Sequence, residues 1–178
     1  YLSGPLQVNC YLVYDETKEA FIVDPGGYAP SLAASVEQKG LSIAYIMLTH
    51  GHGDHIGGVP RLQKEYPQAK LLACKKEEAL LSDARQNLSL ETVGAALSLS
   101  PDVSVSDGDA LTVGNMELRF LETPGHTKGG LCIYLPKEGV LFSGDTLFRT
   151  SIGRTDFPGG SFAEIADSIH QKLFVLPE

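Results

Sequence analysis

The chain has 178 residues, of which 43% are hydrophobic and 20% charged, and its formal net charge is −8. This length and composition predict a single globular domain spanning residues 1–178. The acidic charge argues against nucleic acid as a partner, because phosphate binding needs a basic surface. No apolar run approaches the ~18 residues of a membrane helix, and no signal-like segment opens the chain. We therefore expect a cytoplasmic protein with no membrane partner; composition defines no oligomeric state.

The three cysteines, Cys10, Cys74 and Cys132, are widely spaced and form no CxxC pattern. Their odd number and spacing argue against a disulfide framework. Each lies in or beside an apolar stretch. We therefore predict that all three are buried and behave as small hydrophobic residues.

The first third of the chain is predicted to alternate short strands with turns. Apolar and β-branched residues predict strands over 6–14 and 20–23. The apolar spacing of residues 31–39 predicts a helix, with Gly40 as its C-cap. Residues 43–48 form an apolar run that predicts a buried strand leading directly into a polar segment.

The alternation continues through the rest of the chain. A helix over 57–65, a strand over 70–73 and a helix over 75–81 follow. Residues 82–101 are the least readable segment, in which 91–99 is either a helix or part of a mobile loop. The later predicted elements are strands over 116–121, 131–135 and 140–142, and an amphipathic helix over 162–173.

The most informative segment is 49–55, which reads Thr-His-Gly-His-Gly-Asp-His and holds three of the five histidines. Its glycines predict a loop rather than a helix. His126 and Asp145 follow later predicted strands. Neutral imidazole and carboxylate are ligands that suit zinc, iron and manganese. Because each candidate ligand follows a strand end, we expect one metal site at a common sheet edge, with enough ligands for two ions.

The pattern His-x-His-x-Asp-His of residues 50–55, followed by His126 and Asp145, resembles the metallo-β-lactamase superfamily of metal-dependent hydrolases. The segments 125–130 and 147–154 look like the glyoxalase II-like branch of that superfamily. The resemblance covers nearly the whole chain. It implies an α+β fold, a four-layer αβ/βα sandwich with the metal site at one edge of the two central sheets.

The resemblance also implies a set of metal ligands. These are His50, His52 and His126 for the first ion, Asp54 and His55 for the second, and Asp145 as a bridge between the two. Two Zn²⁺ ions per chain are expected, with iron or manganese as alternatives. The two carboxylates, Asp54 and Asp145, are the expected catalytic residues.

This site predicts a hydrolase in which a metal-activated water attacks the carbonyl of a small-molecule thioester or ester. A thiolate leaving group needs little help from an acid, which favours a thioester. One alternative is an oxidoreductase that resembles the mononuclear-iron persulfide dioxygenases. Another is a non-catalytic protein with an incomplete site. Flavin-coupled di-iron relatives have a Glu in place of His52, which argues against that subgroup.

Several polar residues are candidates for support around the ligands. Asp24 matches the superfamily's early aspartate and is expected to accept a hydrogen bond from a ligand imidazole or from the ligand loop; the alternative is a cap of the turn before Pro25. Thr49 and Thr127 are each expected either to brace a neighbouring ligand or to cap a local turn.

Two further sets of residues follow Asp145. Arg154 is expected to stabilise its loop by pairing with Asp156 or another acid, and the alternative is contact with an anionic substrate. His170 lies in the final predicted helix and is expected at the surface rather than in the metal site.

The chain departs from the superfamily pattern at its end. That pattern continues with one more strand and a Pro-Gly-His-Gly-like turn, whereas this sequence stops at Pro177-Glu178. We therefore expect the domain to lack its last C-terminal strand and the last ligand of the second metal. Either the chain is a fragment or the second site is deficient.

Overall fold

The computed structural model describes residues 1–177. The strands are β1 Leu2–Ser3, β2 Val8–Asn9, β3 Tyr11–Tyr14, β4 Glu19–Val23, β5 Ser42–Met47, β6 Lys70–Cys74, β7 Val103–Val105, β8 Ala110–Val113, β9 Met116–Glu122, β10 Leu131–Leu135 and β11 Val140–Phe142. The helices are α1 Pro30–Lys39, α2 Gly53–Ile56, α3 Val59–Glu65, α4 Glu78–Ser82, α5 Ser89–Val93 and α6 Phe162–Ser168. A 3₁₀ turn, Lys75–Glu77, precedes α4, and a π-helical turn, Ile169–Leu173, continues α6.

The strands form two main sheets. The first has five strands in the order β3-β4-β5-β6-β7, with β3 antiparallel to β4 and the remaining pairs parallel. The second has four antiparallel strands in the order β11-β10-β9-β8. The parallel pairs need crossover connections, which the helices between β4 and β7 supply.

Side chains on strand β4 show how the layers are built. Successive residues of a strand point to opposite faces. Ala20 and Ile22 accordingly enter one apolar cluster, whereas Phe21 and Val23 enter another. The five-stranded sheet is thus apolar on both faces, which is the pattern of a sheet covered on both sides.

Three apolar clusters separate four layers. The first lies between the five-stranded sheet and the helices, and includes Leu32 of α1 and Leu62 of α3. The second lies between the two sheets and is centred on large side chains such as Phe120. In the third, Cys132 of β10 packs against Ile165 of α6. The predicted four-layer αβ/βα sandwich is confirmed.

Several local predictions are also confirmed. Helix α1 ends at Gly40, which has a left-handed φ of 62°, and β10 and β11 pair as the predicted hairpin. The cysteines Cys10, Cys74 and Cys132 are buried and unpaired. Within residues 1–177, none of the helices combines the length and apolar character needed to cross a membrane.

Two predicted elements differ in the structure. The strand predicted over 6–14 begins only at Val8, because Gln7 has a positive φ of 53° in the turn after β1, and it is interrupted at Cys10 between β2 and β3. The helix considered over 91–99 is instead α5, which ends where Gly94 adopts a φ of 73°.

The glycines of the histidine-rich segment predicted a loop, but part of this segment is helical. Asp54 and His55 lie in the short helix α2, which His52 precedes as N-cap. Gly53 is required here by packing, since a Cβ on it would lie 2.4 Å from Cα of Ser89 in α5. Gly53 is therefore needed for the close approach of α2 to α5, and not for an irregular backbone conformation.

Candidate metal centre

Three strand ends bring the predicted ligands to one edge of the sandwich, and a fourth brings Asp24. Strand β4 ends one residue before Asp24, and β5 leads into the segment 49–55. In the other sheet, β9 leads into the turn that carries His126, and β11 leads to Asp145. The strand-end placement expected from the sequence is therefore present in both sheets.

A first group of possible ligands consists of His50, His52 and His126, one nitrogen of each lying within 4.8 Å of the others. Nδ1 of His52 is 3.0 Å from Nε2 of His126. Nε2 of His50 is buried and has no hydrogen-bond partner among the described residues. Three buried imidazole nitrogens thus converge on one small volume.

The chemistry of this group fits a metal ion. Burial and the neighbouring His126 lower the pKa of His52 to about 3, and burial holds the pKa of His50 well below its usual range. Neutral imidazoles are the form that binds zinc-type ions. With Zn–N bonds near 2.0–2.1 Å, two tetrahedral ligands stand ~3.3 Å apart, close to the His52–His126 separation.

A second group lies beside the first and combines His50, His55 and Asp145. Nε2 of His55 is 3.4 Å from Oδ1 of Asp145 and 3.9 Å from Oδ2 of Asp54. Burial disfavours the charged form of His55, but the carboxylates of Asp24 and Asp145 outweigh it and raise the pKa of His55 to about 10. This position therefore favours a positive charge, which a bound cation also supplies.

The carboxylate of Asp145 faces both groups. Its Oδ1 lies 3.4 Å from Nε2 of His55, and its Oδ2 lies 3.6 Å from Nε2 of His126. Burial opposes ionisation of Asp145, yet the surrounding histidines hold its pKa below the usual value. A single ionised carboxylate is thus placed with one oxygen toward each candidate ion position.

Asp24 and Thr49 hydrogen-bond to each other and contact the candidate ligands His50 and His55. Asp24 accepts hydrogen bonds from the backbone N–H of Thr49 at 2.8 Å and from its hydroxyl at 2.6 Å, and its Oδ2 lies 3.1 Å from Nδ1 of His55. Because the Thr49 hydroxyl donates to Asp24, it can accept from Nδ1 of His50 at 3.2 Å. That proton position leaves Nε2 of His50 free to bind a metal.

His126 is oriented by a backbone contact that the sequence did not reveal. Its Nδ1 lies 2.7 Å from the carbonyl oxygen of Arg154. A carbonyl oxygen can only accept, so Nδ1 of His126 carries the proton and Nε2 faces the first group. Arg154 therefore acts on the site through its main chain.

The side chain of Arg154 pairs with Asp156, as predicted, through two contacts of 2.7 and 2.6 Å. The guanidinium also lies 4.0 Å from the centre of the Phe157 ring. That ring is 5.2 Å from the ring of His52. Phe157 is thus an apolar wall of the first group, and only its nearness to Arg154 in sequence could have drawn attention to it.

Thr127 departs from the expected arrangement, whereas His170 does not. Thr127 makes no hydrogen bond to His126, whose Nδ1 already donates to Arg154. Its buried hydroxyl lies near Glu77, where burial raises the pKa of the carboxyl and the hydroxyl offsets part of that rise. His170 is exposed and contacts Phe174, outside the metal groups, as predicted. Sequence reasoning did not single out Glu77, which is buried beside the site.

A cavity of about 480 Å³ opens beside the second group. Its lining includes the polar groups of Asp54, His55 and Asp145 and apolar side chains such as those of Phe142 and Phe148. The site thus combines polar groups that converge on a point with an apolar wall, which is the usual composition of a small-molecule site.

A four-layer sandwich with two adjoining His and carboxylate groups at its sheet edge defines a metal-dependent protein of the hydrolase type. Residues 3–176 match the pattern of the Metallo-beta-lactamase superfamily, and the chain belongs to that family. The glyoxalase II-like resemblance agrees with the presence of hydroxyacylglutathione hydrolases among its relatives.

Three comparisons illustrate this relationship. The hydroxyacylglutathione hydrolase GloC of Haemophilus influenzae is 35% identical over 96% of this chain and 81% of its own length. The crystal structure of the B3 metallo-β-lactamase BLEG-1 has a TM-score of 0.91 at 38% identity, covering 99% of this chain and 85% of that one. A second crystal structure, in a di-iron-bound form, has a TM-score of 0.84 at 30% identity, covering 100% and 87%.

Proposed function

We propose that this protein hydrolyses a small-molecule thioester or ester with two bound metal ions, in the manner of a glyoxalase II-like thioesterase. The observation that carries the proposal is the placement of Asp145, with one carboxylate oxygen toward His55 and the other toward His126. A carboxylate placed to serve two ions is what a binuclear site requires, and two-metal sites about 3.5–4 Å apart are common in phosphatases, nucleases and aminopeptidases.

Two Zn²⁺ ions are the proposed cofactor. His50, His52 and His126 would hold the first, Asp54 and His55 the second, and Asp145 would bridge them. Divalent ions in such a site lower the pKa of a water and polarise the substrate carbonyl. The cluster supplies nitrogen and carboxylate oxygen donors, which zinc, iron and manganese all accept.

The residues of the chain have separate tasks in this reaction. Asp54 and Asp145 line the cavity, where Asp54 can accept a proton from a water and Asp145 would hold the two ions. Burial raises the pKa of Asp54, which brings that carboxyl closer to the range of a general base. Phe142 and Phe148 add apolar surface to the lining of the same cavity.

The thioester class is supported by the relatives and by the cavity. GloC, at 35% identity, is named a hydroxyacylglutathione hydrolase. The cavity volume of about 480 Å³ falls within the ~300–1,000 Å³ of typical small-molecule sites. A thiolate leaving group needs little help from an acid, which also favours a thioester. We place this reaction in the cytoplasm, in keeping with the three free cysteines.

One other chemistry has a specific observation in its favour. The first group is a complete set of three histidines by itself, which a mononuclear-iron oxidoreductase of the persulfide dioxygenase kind could use. One related structure holds iron, as a di-iron pair. A non-catalytic protein is the third possibility. Metal content distinguishes these readings.

The test is elemental analysis of protein purified without chelators or affinity-column metal, followed by an assay with S-lactoylglutathione and simple thioesters. About two zinc ions per chain together with thioester hydrolysis support the proposal. One iron per chain with oxygen uptake on a persulfide would replace it with the dioxygenase. Absence of both metal and activity would indicate a non-catalytic protein.

A further inference from the structure

A buried carboxylate outside the ligand set joins the two loops of the first group. Glu77 is 1% exposed and lies at the end of the 3₁₀ turn after β6. Its Oε1 accepts the backbone N–H of Gly51 at 3.1 Å, and its Oε2 accepts the N–H of Gly129 at 2.8 Å. Each oxygen of one side chain therefore holds a different loop.

Both loops carry ligands of the first group. Gly51 is the residue between His50 and His52, and Gly129 is three residues beyond His126. His52 and His126 are the pair whose ring nitrogens are only 3.0 Å apart. A contact that fixes the separation of Gly51 and Gly129 thus also constrains the separation of these two rings.

The fit around Glu77 is close. A Cβ on Gly129 would lie 2.5 Å from Oε2 of Glu77, so glycine is needed for the carboxylate to reach the N–H. Among the described residues, Glu77 forms no ion pair with a lysine, arginine or histidine. Burial raises its pKa, while the Thr127 hydroxyl and the two amides act in the opposite direction. The polar partners of this carboxyl are therefore the ligand loops themselves.

We propose that Glu77 is a positioning residue for the first metal group, holding the 50–52 loop and the 126–129 loop at the separation that places His52 and His126 around one ion. This inference rests on the metal-binding role proposed for the three histidines. Among the described residues, the Glu77 carboxylate hydrogen-bonds only to these two loops, so its contacts act on the ligand loops and on no other part of the fold.

The exchange Glu77→Gln tests the role with little change in shape. A glutamine has one acceptor oxygen, so its NH₂ group faces one of the two backbone N–H donors. One loop is released while the fold is retained. Outer contacts of this kind change metal affinity by about 10–100-fold, and we expect a loss in that range at the first group.

The measurement is a titration of the metal-free protein with Co²⁺, followed through the visible absorption of the bound ion. We expect Glu77→Gln to weaken the tighter Co²⁺ site and to change the intensity of its spectrum, which reports ligand geometry. Glu78→Gln is the matched control, because the neighbouring Glu78 is exposed and contacts Ser104. Its affinity and spectrum should equal those of the wild type.

Glu77→Asp provides a second variant if the glutamine form does not fold. It keeps the charge but is shorter by one methylene, so it can reach only one loop, and we expect weaker Co²⁺ binding here as well. If the folded variants keep the wild-type Co²⁺ affinity and spectrum, the positioning role of Glu77 is wrong, and the proposed function is unaffected. Failure of the wild type itself to bind Co²⁺ would overturn this inference together with the proposed function.

Discussion

Nδ1 of His52 and Nε2 of His126 are 3.0 Å apart, although 74 residues separate the two histidines in sequence. The pKa of His52 is about 3, lowered first by burial and then by His126. Two such nitrogens cannot both carry a proton at this distance. Because Nδ1 of His126 carries its proton toward Arg154, the lone pair on its Nε2 can accept from Nδ1 of His52 or, together with that nitrogen, bind a shared cation.

Replacement of His52 with alanine should remove the first metal. One of three converging nitrogens is lost. The metal affinity of that site should therefore fall by more than ~100-fold, the upper limit for mutations of residues that contact a ligand without binding the metal. Metal content and thioester hydrolysis of His52→Ala are the measurements. His170→Ala is the control, because His170 is exposed on the last helical turn. Retained metal and activity in His52→Ala would show that the ligand assignment is wrong.

Asp145→Asn should weaken both metals together. The amide keeps the shape but offers one neutral oxygen, so either His55 or His126 faces an NH₂ group. We expect the affinities at the two sites to fall in parallel, which two-step calorimetric titration with Zn²⁺ measures. Asp167→Asn, an exposed change on α6, is the control. Loss of one metal with the other unaffected would mean that Asp145 does not bridge.

Asp24→Asn tests whether the contacts of Asp24 with Thr49 and His55 support metal binding. Asp24 has a φ of 48°, a conformation that asparagine tolerates, so the backbone should be retained. The amide cannot accept from both the N–H and the hydroxyl of Thr49 as the carboxylate does. Zn²⁺ affinity should fall by about 10–100-fold, as measured by competition with a chromogenic chelator. Unchanged affinity would assign Asp24 to turn capping alone.

The sequence was sufficient for the layers and the candidate ligands. Its resemblance to the superfamily implied the four layers and the ligand roles, and local patterns indicated the strand faces and the strand ends. Strand alternation places Phe21 and Ile22 on opposite faces, and the ligand residues follow strand ends. It was insufficient for Glu77, Phe157 and the carbonyl of Arg154. These contacts arise where separate loops approach each other, and backbone donors or acceptors at such points leave no mark in the sequence. The helical turn at Gly53 was missed for the same reason, since its cause is packing against α5.

The cysteines should be unreactive in the folded protein. Burial raises the pKa of Cys10 to about 12 and that of Cys132 to about 11, and Cys74 is also buried, with a pKa near 11. Each pKa lies above pH 8, so little thiolate exists there, and the thiolate is the reactive form. We expect no rapid reaction with a disulfide reagent at pH 8, and three thiols after unfolding. A fast-reacting thiol in the native state would contradict the burial.

The layer between the sheets should carry much of the stability. Phe120 of β9 is fully buried there, and Phe120→Ala should lower the free energy of unfolding by about 3–5 kcal/mol, because it removes apolar contacts and leaves a cavity. Urea denaturation measures this as a lower midpoint. Phe162→Ala is the matched control: Phe162 is 67% exposed at the start of α6, so its effect should stay within about 0.5 kcal/mol. Equal effects of the two changes would mean that the sheets do not pack through Phe120. A large effect of Phe120→Ala, with Zn²⁺ affinity retained, would show that the inter-sheet layer stabilises the fold without determining the ligand geometry.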